Sequence, residues 1–334
     1  MKKLIHKPSL LIALLIVTAS CSQIIDIDIP EHEPMWTFNG NICAGEFFYE
    51  LENSNQNFRI FNYFISQNTI GDDIPNVLSL SKSIPISNRK SNHTFYDDGE
   101  LFIFQGDNLV ETPPSSVDNS FNPRPRYLSE LDYEPEKTYR FKMIANDDTE
   151  LSATQTIPKK VEPRNVRVNE SSSETIVHFT IDDPLETNHY LFQCHEIHYY
   201  SSGNTSGYSH GQQEFNITSP NFFWYYEDFD FLEEGNQYQS TGVLSDADFN
   251  GQSHEIEMRI NKNTHQQGMY QNKKIVIEIS SMSFDMHRYF QSYAQTIFGF
   301  SPFSEPAILN FNVENGLGAV VAVTTTFLEI EIEL

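Results

Sequence analysis

Apolar and polar residues alternate with a period of two along most of the chain. In residues 139–143, Tyr, Phe and Met alternate with Arg and Lys. The same alternation recurs at residues 177–181, 256–260, 275–279 and 327–334. Successive side chains of a strand point to opposite faces, so this period is typical of half-buried strands. The pattern therefore predicts a mainly β protein.

One segment, residues 283–298, has a helical period instead. Its apolar residues recur at steps of three and four and would form one stripe along a helix. These residues are Tyr289, Phe290, Tyr293 and Ile297. Asp285 lies near the amino end of the segment, where a carboxylate is favoured, and Gly299 follows as a stop signal. The pattern predicts one amphipathic helix near the C-terminus.

A segment rich in proline and lysine, residues 157–164, separates two strand-rich regions. It contains Pro158 and Pro163. We predict two domains, an N-terminal one at residues 35–160 and a C-terminal one at residues 164–334 that carries the helix. Strand runs joined by short turns, with little helix, favour β-sandwiches of the immunoglobulin or transthyretin type.

The first twenty residues have the layout of a secretory signal. A basic start is followed by an apolar run at residues 10–17 and by small residues before Cys21. The run is about half the ~20 residues that a membrane-spanning helix needs. A cysteine in this position becomes the acylated first residue of a mature lipoprotein, and several acyl chains hold a protein firmly on a bilayer. We predict a signal peptide at residues 1–20 and an acylated Cys21 that opens an acidic tether, residues 21–34.

The charge balance limits the partners of the chain. The formal net charge is −25 at pH 7. Binding to nucleic acid needs a basic surface, so we expect no nucleic-acid partner. Cys43 and Cys194 are the cysteines that remain once Cys21 is acylated. Either one disulfide or two buried thiols would fit them.

Several short motifs occur in an order and spacing that resemble a known family. They are Cys-Ser-Gln-Ile-Ile-Asp-Ile-Asp-Ile-Pro at 21–30, Glu-Pro at 33–34, Leu-Ser-Leu-Ser-Lys-Ser at 78–83, Pro-Glu-Lys-Thr-Tyr at 135–139, Thr-Gln-Thr-Ile-Pro at 154–158, Phe-Asn-Gly at 249–251, Pro-Phe-Ser-Glu-Pro at 302–306 and Asn-Gly-Leu-Gly at 315–318. The chain resembles a Bacteroidota lipoprotein family of unknown function, whose members are often encoded beside TonB-dependent receptors. The resemblance covers nearly the whole mature chain, and its last two motifs are the most specific.

This resemblance implies a location and a partner rather than a reaction. It implies a lipoprotein of the outer membrane that faces the cell exterior. It also implies an outer-membrane β-barrel as partner, either a transporter like the TonB-dependent receptors or barrel-assembly machinery. The family contributes no catalytic residues, because its motifs are glycines where φ must be positive and prolines that end strands.

The segment from Asp246 to Glu257 has the spacing of a calcium-binding loop. Asp246, Asp248 and Asn250 supply oxygen atoms at alternate positions, Gly251 allows a sharp turn, and Glu257 follows six residues after that glycine. The alternation around Glu257 predicts a strand rather than the helix of an EF-hand. The Phe-Asn-Gly turn also explains Asn250 and Gly251 without an ion. A calcium site and an ordinary turn therefore both stay open.

The run Phe-Phe-Trp-Tyr-Tyr is the densest aromatic cluster of the sequence. Its members Phe223, Trp224 and Tyr225 could bind sugar rings or a protein partner if they are exposed, or close a core if they are buried. His195 and His198 look like a metal-binding pair. Because they are three positions apart on a predicted strand, they would point to opposite faces and not share a metal ion.

The sequence contains no motif that is typical of a catalytic site. It has no Gly-x-Ser-x-Gly elbow, no His-Glu-x-x-His and no phosphate-binding loop. We therefore expect no enzymatic activity and no cofactor. The leading hypothesis is a non-catalytic accessory subunit of an outer-membrane barrel. The alternatives are a stand-alone surface lipoprotein that binds glycans or peptides, and a hydrolase that uses surface carboxylates.

Overall fold

The computed structural model describes most of the predicted mature chain. The described residues are 33–46, 48–50, 59–61, 76–83, 95–96, 98–117, 125–171, 173–202, 205–224, 241–261, 272–298 and 309–333. All of them except Glu33 and Pro34 belong to one compact unit, which comprises Met35–Ser83 and Asn92–Leu334. The predicted signal peptide and Cys21 lie outside the described residues, so the acylation of Cys21 stays a prediction.

Strands dominate the described residues, which confirms the predicted mainly β class. In chain order they are β1 (Trp36–Gly45), β2 (Phe48–Glu50), β3 (Arg59–Phe61), β4 (Asn76–Lys82), β5 (Phe95–Tyr96), β6 (Glu100–Gln105), β7 (Asn108–Glu111), β8 (Ser115–Val117), β9 (Pro125–Ser129), β10 (Thr138–Ile144), β11 (Glu150–Thr156), β12 (Arg164–Glu170), β13 (Glu174–Asp182), β14 (His189–Ser202), β15 (Thr205–Gln212), β16 (Phe215–Ile217), β17 (Phe222–Trp224), β18 (Thr241–Ser245), β19 (Ser253–Asn261), β20 (Asn272–Met282) and β21 (Val320–Glu333). Along β10, β13 and β19, buried residues alternate with more exposed ones, as the period of two in the sequence predicts.

Eleven strands form one large sheet. Its main path runs β17-β18-β14-β20-β21-β1-β4-β9-β8, with β15 paired to β14 and β5 paired to β4. Two smaller sheets of four strands have the orders β11-β10-β6-β7 and β12-β13-β19-β16, and β2 pairs with β3. The neighbours in the large sheet are antiparallel except for β1 and β21, which run parallel. The first and last described strands therefore lie side by side within the sheet.

Both four-stranded sheets pack on the same face of the large sheet. In a first hydrophobic core, Val320 and Ala322 of β21 lie with residues of β1, β4, β6, β10 and β11. In a second core, Ile330 and Ile332 of β21 lie with residues of β13, β14, β19 and β20. Even-numbered side chains of one strand share a face, so β21 contributes one face to both cores. The predicted sandwich packing is thus present, and the two sandwiches share a sheet.

The two cores divide close to the predicted domain boundary. Ile157 belongs to the first core and Val161 to the second. The first core also contains Val313 and Val320 from the C-terminal region, because β21 joins β1 in the shared sheet. The two predicted domains, at residues 35–160 and 164–334, are therefore continuous through this sheet. Their independent folding stays a prediction.

The helix α1 (Phe284–Phe298) lies where the sequence predicts it. It follows Ser283, whose side-chain oxygen accepts a hydrogen bond of 3.3 Å from the Met286 backbone N–H, so Ser283 caps the first turn. Met286 is buried and Tyr289 partly buried in a third apolar cluster with β14, β18 and β21. The side chains of the other predicted stripe residues, Phe290, Tyr293 and Ile297, lie outside the described part of the structure.

The Asn-Gly-Leu-Gly motif at residues 315–318 places the chain against the start of β1. The Leu317 N–H donates to the Trp36 carbonyl and the Phe38 N–H donates to the Leu317 carbonyl, each at 2.9 Å. Gly318 has a φ of +109°, and a Cβ atom at this position would lie 2.1 Å from the Phe38 carbonyl oxygen. Only glycine allows both this φ and this close approach. The motif therefore makes a close backbone contact with β1, and this contact allows β21 to pair with β1.

We predict that Gly318→Ala destabilises the protein by about 3 kcal/mol or more, because it combines an unfavourable φ with a clash against the backbone. Gly106→Ala is a matched control. Gly106 also has a positive φ, +61°, but an added Cβ would meet nothing within 4 Å. We expect this control to cost about 1 kcal/mol. Urea unfolding measures both values, and equal losses would show that the close approach at Gly318 is unimportant.

Candidate functional site

The predicted aromatic site begins on an edge strand of the large sheet. β17 ends the strand order and pairs only with β18 among the described strands. Phe222, its first residue, packs against the second core, with its ring centroid 6.0 Å from that of Phe215. The side chains of Phe223 and Trp224, and all of Tyr225, lie outside the described part of the structure. Their role in ligand binding stays a prediction.

Exposed apolar side chains lie on two strands that are edge strands among the described residues. Leu109 and Val110 on β7 are 53% and 38% exposed, and Val117 on β8 is 46% exposed. β7 is the last strand of one four-stranded sheet, and β8 is the last strand of the large sheet. An edge strand offers backbone N–H and C=O groups to a partner. These two edges therefore combine apolar side chains with hydrogen-bonding capacity.

A third edge, β12, is exposed along its whole length but is better protected. All seven of its residues are exposed, including Val166 and Val168. The register of its pairing with β13 shifts between Arg164 and Arg167. Both arginines carry charge along this edge and form surface ion pairs, with Asp182 and Glu255. Irregular pairing and charge are the features by which natural proteins discourage strand addition.

The other face of the large sheet, opposite the two cores, carries a row of buried polar side chains. Glu278 on β20 is fully buried and accepts a hydrogen bond of 2.8 Å from the Ser280 hydroxyl. The Ser280 and Thr325 hydroxyl oxygens are 2.6 Å apart. Gln193 on β14 lies opposite Glu278, and its side-chain amide donates to the Thr241 hydroxyl at 2.8 Å. We call Gln193, Thr241, Glu278, Ser280 and Thr325 the polar row.

Sequence reasoning did not find the polar row, because alternation does not show what covers a face. The period around Glu278 predicts a half-buried strand with this carboxylate on its exposed side. In the structure, apolar clusters flank the row on this face as well, one around Met286 of α1 and one around Val276 and Phe327. The available signal was the run Thr324 to Thr326 inside a strand that is otherwise mostly apolar or acidic. The hydroxyl, amide and carboxylate groups of the polar row can form hydrogen bonds with polar groups.

Strand β14 contains both histidines of the suspected metal pair. Positions three apart on a strand lie on opposite faces, which is the arrangement that the sequence predicts for His195 and His198. His198 Nε2 lies 3.0 Å from Glu196 Oε2, and Lys273 Nζ pairs with the other oxygen of this carboxylate. Glu196 and Lys273 are both buried, and burial lowers the pKa of the Lys273 ammonium. His198 thus belongs to a buried charge network rather than to a pair with His195.

The four predicted calcium ligands have different surroundings. Asp246 is fully buried and accepts a hydrogen bond of 2.6 Å from the Asn188 backbone N–H. Asp248 and Asn250 are exposed on the turn that follows. Glu257 lies in the middle of β19 and forms an ion pair of 2.7 Å with Arg259. No group of three or more His, Cys, Asp or Glu side chains is placed to hold a metal ion anywhere in the described residues.

The two remaining cysteines are buried thiols. Cys43 lies on β1 and Cys194 on β14, and they do not form a disulfide. Burial raises the pKa of the Cys194 thiol to about 12, so this thiol stays protonated and unreactive at neutral pH. The sequence is compatible with one disulfide or with two buried thiols, and the structure has two buried thiols.

Within the described ranges, no helix has both the length and the apolar composition needed to cross a membrane.

Two histidines stack where α1 meets the large sheet. The rings of His189 on β14 and His287 on α1 are 3.4 Å apart between centroids and inclined by 12°. Burial, with a smaller contribution from His287, lowers the pKa of His189 to about 4, and burial also lowers the pKa of His287. Both rings are therefore neutral at pH 7, and their protonation would place two positive charges in contact.

Comparison with known protein families gives one match. Residues 65–328 match the family model described as a domain of unknown function, DUF4249. This match covers more than half of the chain. No curated protein matches the chain.

The stacked histidines predict a loss of stability in acid. An unfolded histidine has a pKa of about 6.5, whereas folded His189 has a pKa of about 4. The unfolded state therefore binds more protons as the pH falls below 6.5, and His189 alone should lower the free energy of unfolding by about 2 kcal/mol between pH 7.5 and pH 5. His189→Gln should weaken this dependence, and His178→Gln, at a histidine beside Glu255 that is not part of the stacked pair, should preserve it. Equal pH profiles for wild type and His189→Gln, measured by urea unfolding, would refute the argument.

Proposed function

This chain belongs to the family of the domain of unknown function DUF4249, and we propose that it is an outer-membrane lipoprotein that acts as a non-catalytic accessory subunit of a β-barrel. The proposed anchor is a set of acyl chains on Cys21, and the proposed orientation is toward the cell exterior. The proposed partner is a transporter like the TonB-dependent receptors or a barrel-assembly protein. The resemblance of the motifs to the Bacteroidota lipoprotein family supports both the location and the partner.

The observation that carries the proposal is the position of Cys21. It directly follows a basic start, a short apolar run and small residues, which is the layout of a secretory signal. Several acyl chains on one residue supply the affinity that a single chain would not, at roughly 0.8 kcal/mol for each buried methylene. The acidic tether of residues 21–34 would then link the anchor to the folded unit that begins near Met35.

The apolar edges of β7 and β8 support a protein partner. Leu109, Val110 and Val117 are three exposed apolar residues on strands that end two different sheets. Exposed apolar residues on edge strands are candidates for contact with a protein partner. We favour this surface over β12, whose arginines protect it. The absence of a catalytic motif in the sequence is consistent with an accessory role.

The aromatic run supports the second candidate function, which is binding of glycans or peptides. A stand-alone lipoprotein that binds glycans or peptides would use Phe223, Trp224 and Tyr225, the first two of which lie on the edge strand β17. This candidate requires binding by the protein without a barrel. Aromatic rings suit such binding because they stack on sugars and anchor peptides.

We predict that Cys21→Ser abolishes lipid attachment and releases the protein from the membrane. Serine cannot carry the thioether-linked lipid, so the affinity of the acyl chains is lost. Metabolic labelling with a palmitate analogue, followed by fractionation of the outer membrane, measures both effects. Cys43→Ser is the matched control and should stay labelled and membrane-bound. Retention of the label in Cys21→Ser would refute the proposed anchor.

We predict that Leu109→Lys combined with Val117→Lys removes a co-purifying barrel without releasing the protein from the membrane. Charge at these edges should prevent both apolar contact and strand addition. The measurement is affinity purification of tagged full-length protein from solubilised outer membrane, with mass spectrometry of its partners.

Val166→Lys combined with Val168→Lys is the matched control, on the protected edge β12, and should retain the barrel. The identity of the barrel distinguishes uptake from membrane biogenesis. Purification of the wild type without any barrel would refute the accessory role. If Trp224→Ala with Tyr225→Ala then abolished binding to a glycan or peptide, the second candidate would replace it.

A further inference from the structure

Two loops of the second sandwich are joined by hydrogen bonds to a pair of buried carboxylates. The loop between β13 and β14 contributes Asp183, and the loop between β18 and β19 contributes Asp246. Asp183 Oδ2 accepts from the Gly251 N–H at 2.7 Å, and Asp246 Oδ2 accepts from the Asn188 N–H at 2.6 Å. Each carboxylate therefore binds the backbone of the opposite loop. Both side chains are buried, Asp246 fully so.

These contacts leave one carboxylate oxygen of the site without a donor. Asp246 Oδ1 is buried and has no hydrogen-bond partner. The Asn188 amide nitrogen donates toward Asp183 Oδ1 and to the carbonyls of Pro184 and Glu186. A buried polar atom without a partner is costly and uncommon in folded proteins. Asp246 Oδ1 is therefore available to a ligand that can interact with a carboxylate oxygen.

The electrostatics of the site also favour a positive ligand. Burial raises the pKa of both carboxyl groups, and the charge of Asp246 raises the pKa of Asp183 further. The Tyr190 hydroxyl donates to Asp183 Oδ1, which offsets part of one charge. None of the described Lys, Arg or His residues forms an ion pair with Asp183 or Asp246. Two buried acids thus share a site without a compensating cation from the protein.

We propose that Asp183, Asp246 and Asn188 bind a divalent cation of the calcium class. Ca²⁺ prefers carboxylate, amide and carbonyl oxygens and accepts irregular geometry, and these three side chains supply oxygen from two loops. The site shares only Asp246 with the loop spacing from Asp246 to Glu257 that the sequence shows. Its ligands come from two separate segments of the chain, which explains why no linear motif reveals it. The ion would hold the two loops together and neutralise their carboxylates.

The test is calcium titration of the full-length protein, solubilised in detergent and first treated with EDTA. We expect one site per chain by calorimetry, with a Kd on the order of 10⁻⁴–10⁻³ M, as in extracellular modules. In 10 mM Ca²⁺ the melting temperature should rise by about 4 °C. Asp183→Asn and Asp246→Asn should each abolish the rise. Without calcium, Asp246→Asn should melt above the wild type, because it removes a buried charge.

Asp248→Asn is the matched control, since it removes an exposed carboxylate from the same turn. It should keep the calcium-dependent rise. The proposal is overturned if 10 mM Ca²⁺ leaves the wild-type melting temperature unchanged. It is also overturned if Asp248→Asn loses the rise while Asp183→Asn keeps it, which would indicate the linear loop instead.

A second measurement does not depend on the folding of the Asn variants. Tb³⁺ bound at this site should show luminescence sensitised by Tyr190, whose hydroxyl contacts Asp183. Excess Ca²⁺ should quench it by competition. Tyr190→Phe should lose most of the luminescence and keep the calcium-dependent rise in melting temperature. Luminescence that is unchanged in Tyr190→Phe would place the ion elsewhere and overturn the proposal.

Discussion

The parallel pairing of β1 with β21 is the contact on which the rest of the fold depends. It joins the two ends of the described chain in register from Gly40 with Val320 to Gly45 with Thr325. On either side, β4 pairs with β1 and β20 pairs with β21, so the large sheet is continuous only through this pair. Closing so long a loop costs conformational entropy. The close approach at Gly318 allows the backbone hydrogen bonds that offset this cost.

Because the sheet is continuous, the two hydrophobic cores are coupled through a single strand. Val320 and Ala322 lie in the first core, and Ile330 and Ile332 lie in the second. A change that displaces β21 therefore removes packing from both sandwiches, whereas a change in β10 or β13 removes packing from one. The opposite face of this strand is buried as well, by apolar clusters that contain Met286 of α1 and Val276 of β20. The polar row crosses β21, β20, β14 and β18 on the side that neither four-stranded sheet covers.

The sequence predicted the strands and the helix better than it predicted what covers their faces. Alternation identified β10, β13 and β19, and a three- to four-residue period identified α1, because these signals are local. Glu278 was assigned to an exposed face, since alternation tells which residues share a face but not what covers it. The pairing of Asp183 with Asp246 was not predicted, because it depends on two loops that meet only in the folded chain. The motif at 315–318 is visible in the sequence, but its contact with the backbone of β1 exists only in the folded chain.

The strand order also bears on how the two candidate functions relate. β8 and β17 are the two ends of the main path of the large sheet, and seven strands separate them. The proposed barrel contact uses the β8 end, and the aromatic run starts at the β17 end. The side chains at one end are not needed for strand pairing at the other. Binding of a barrel at β8 is therefore compatible with binding of a small polar ligand at β17, and an accessory subunit could use both edges of one sheet.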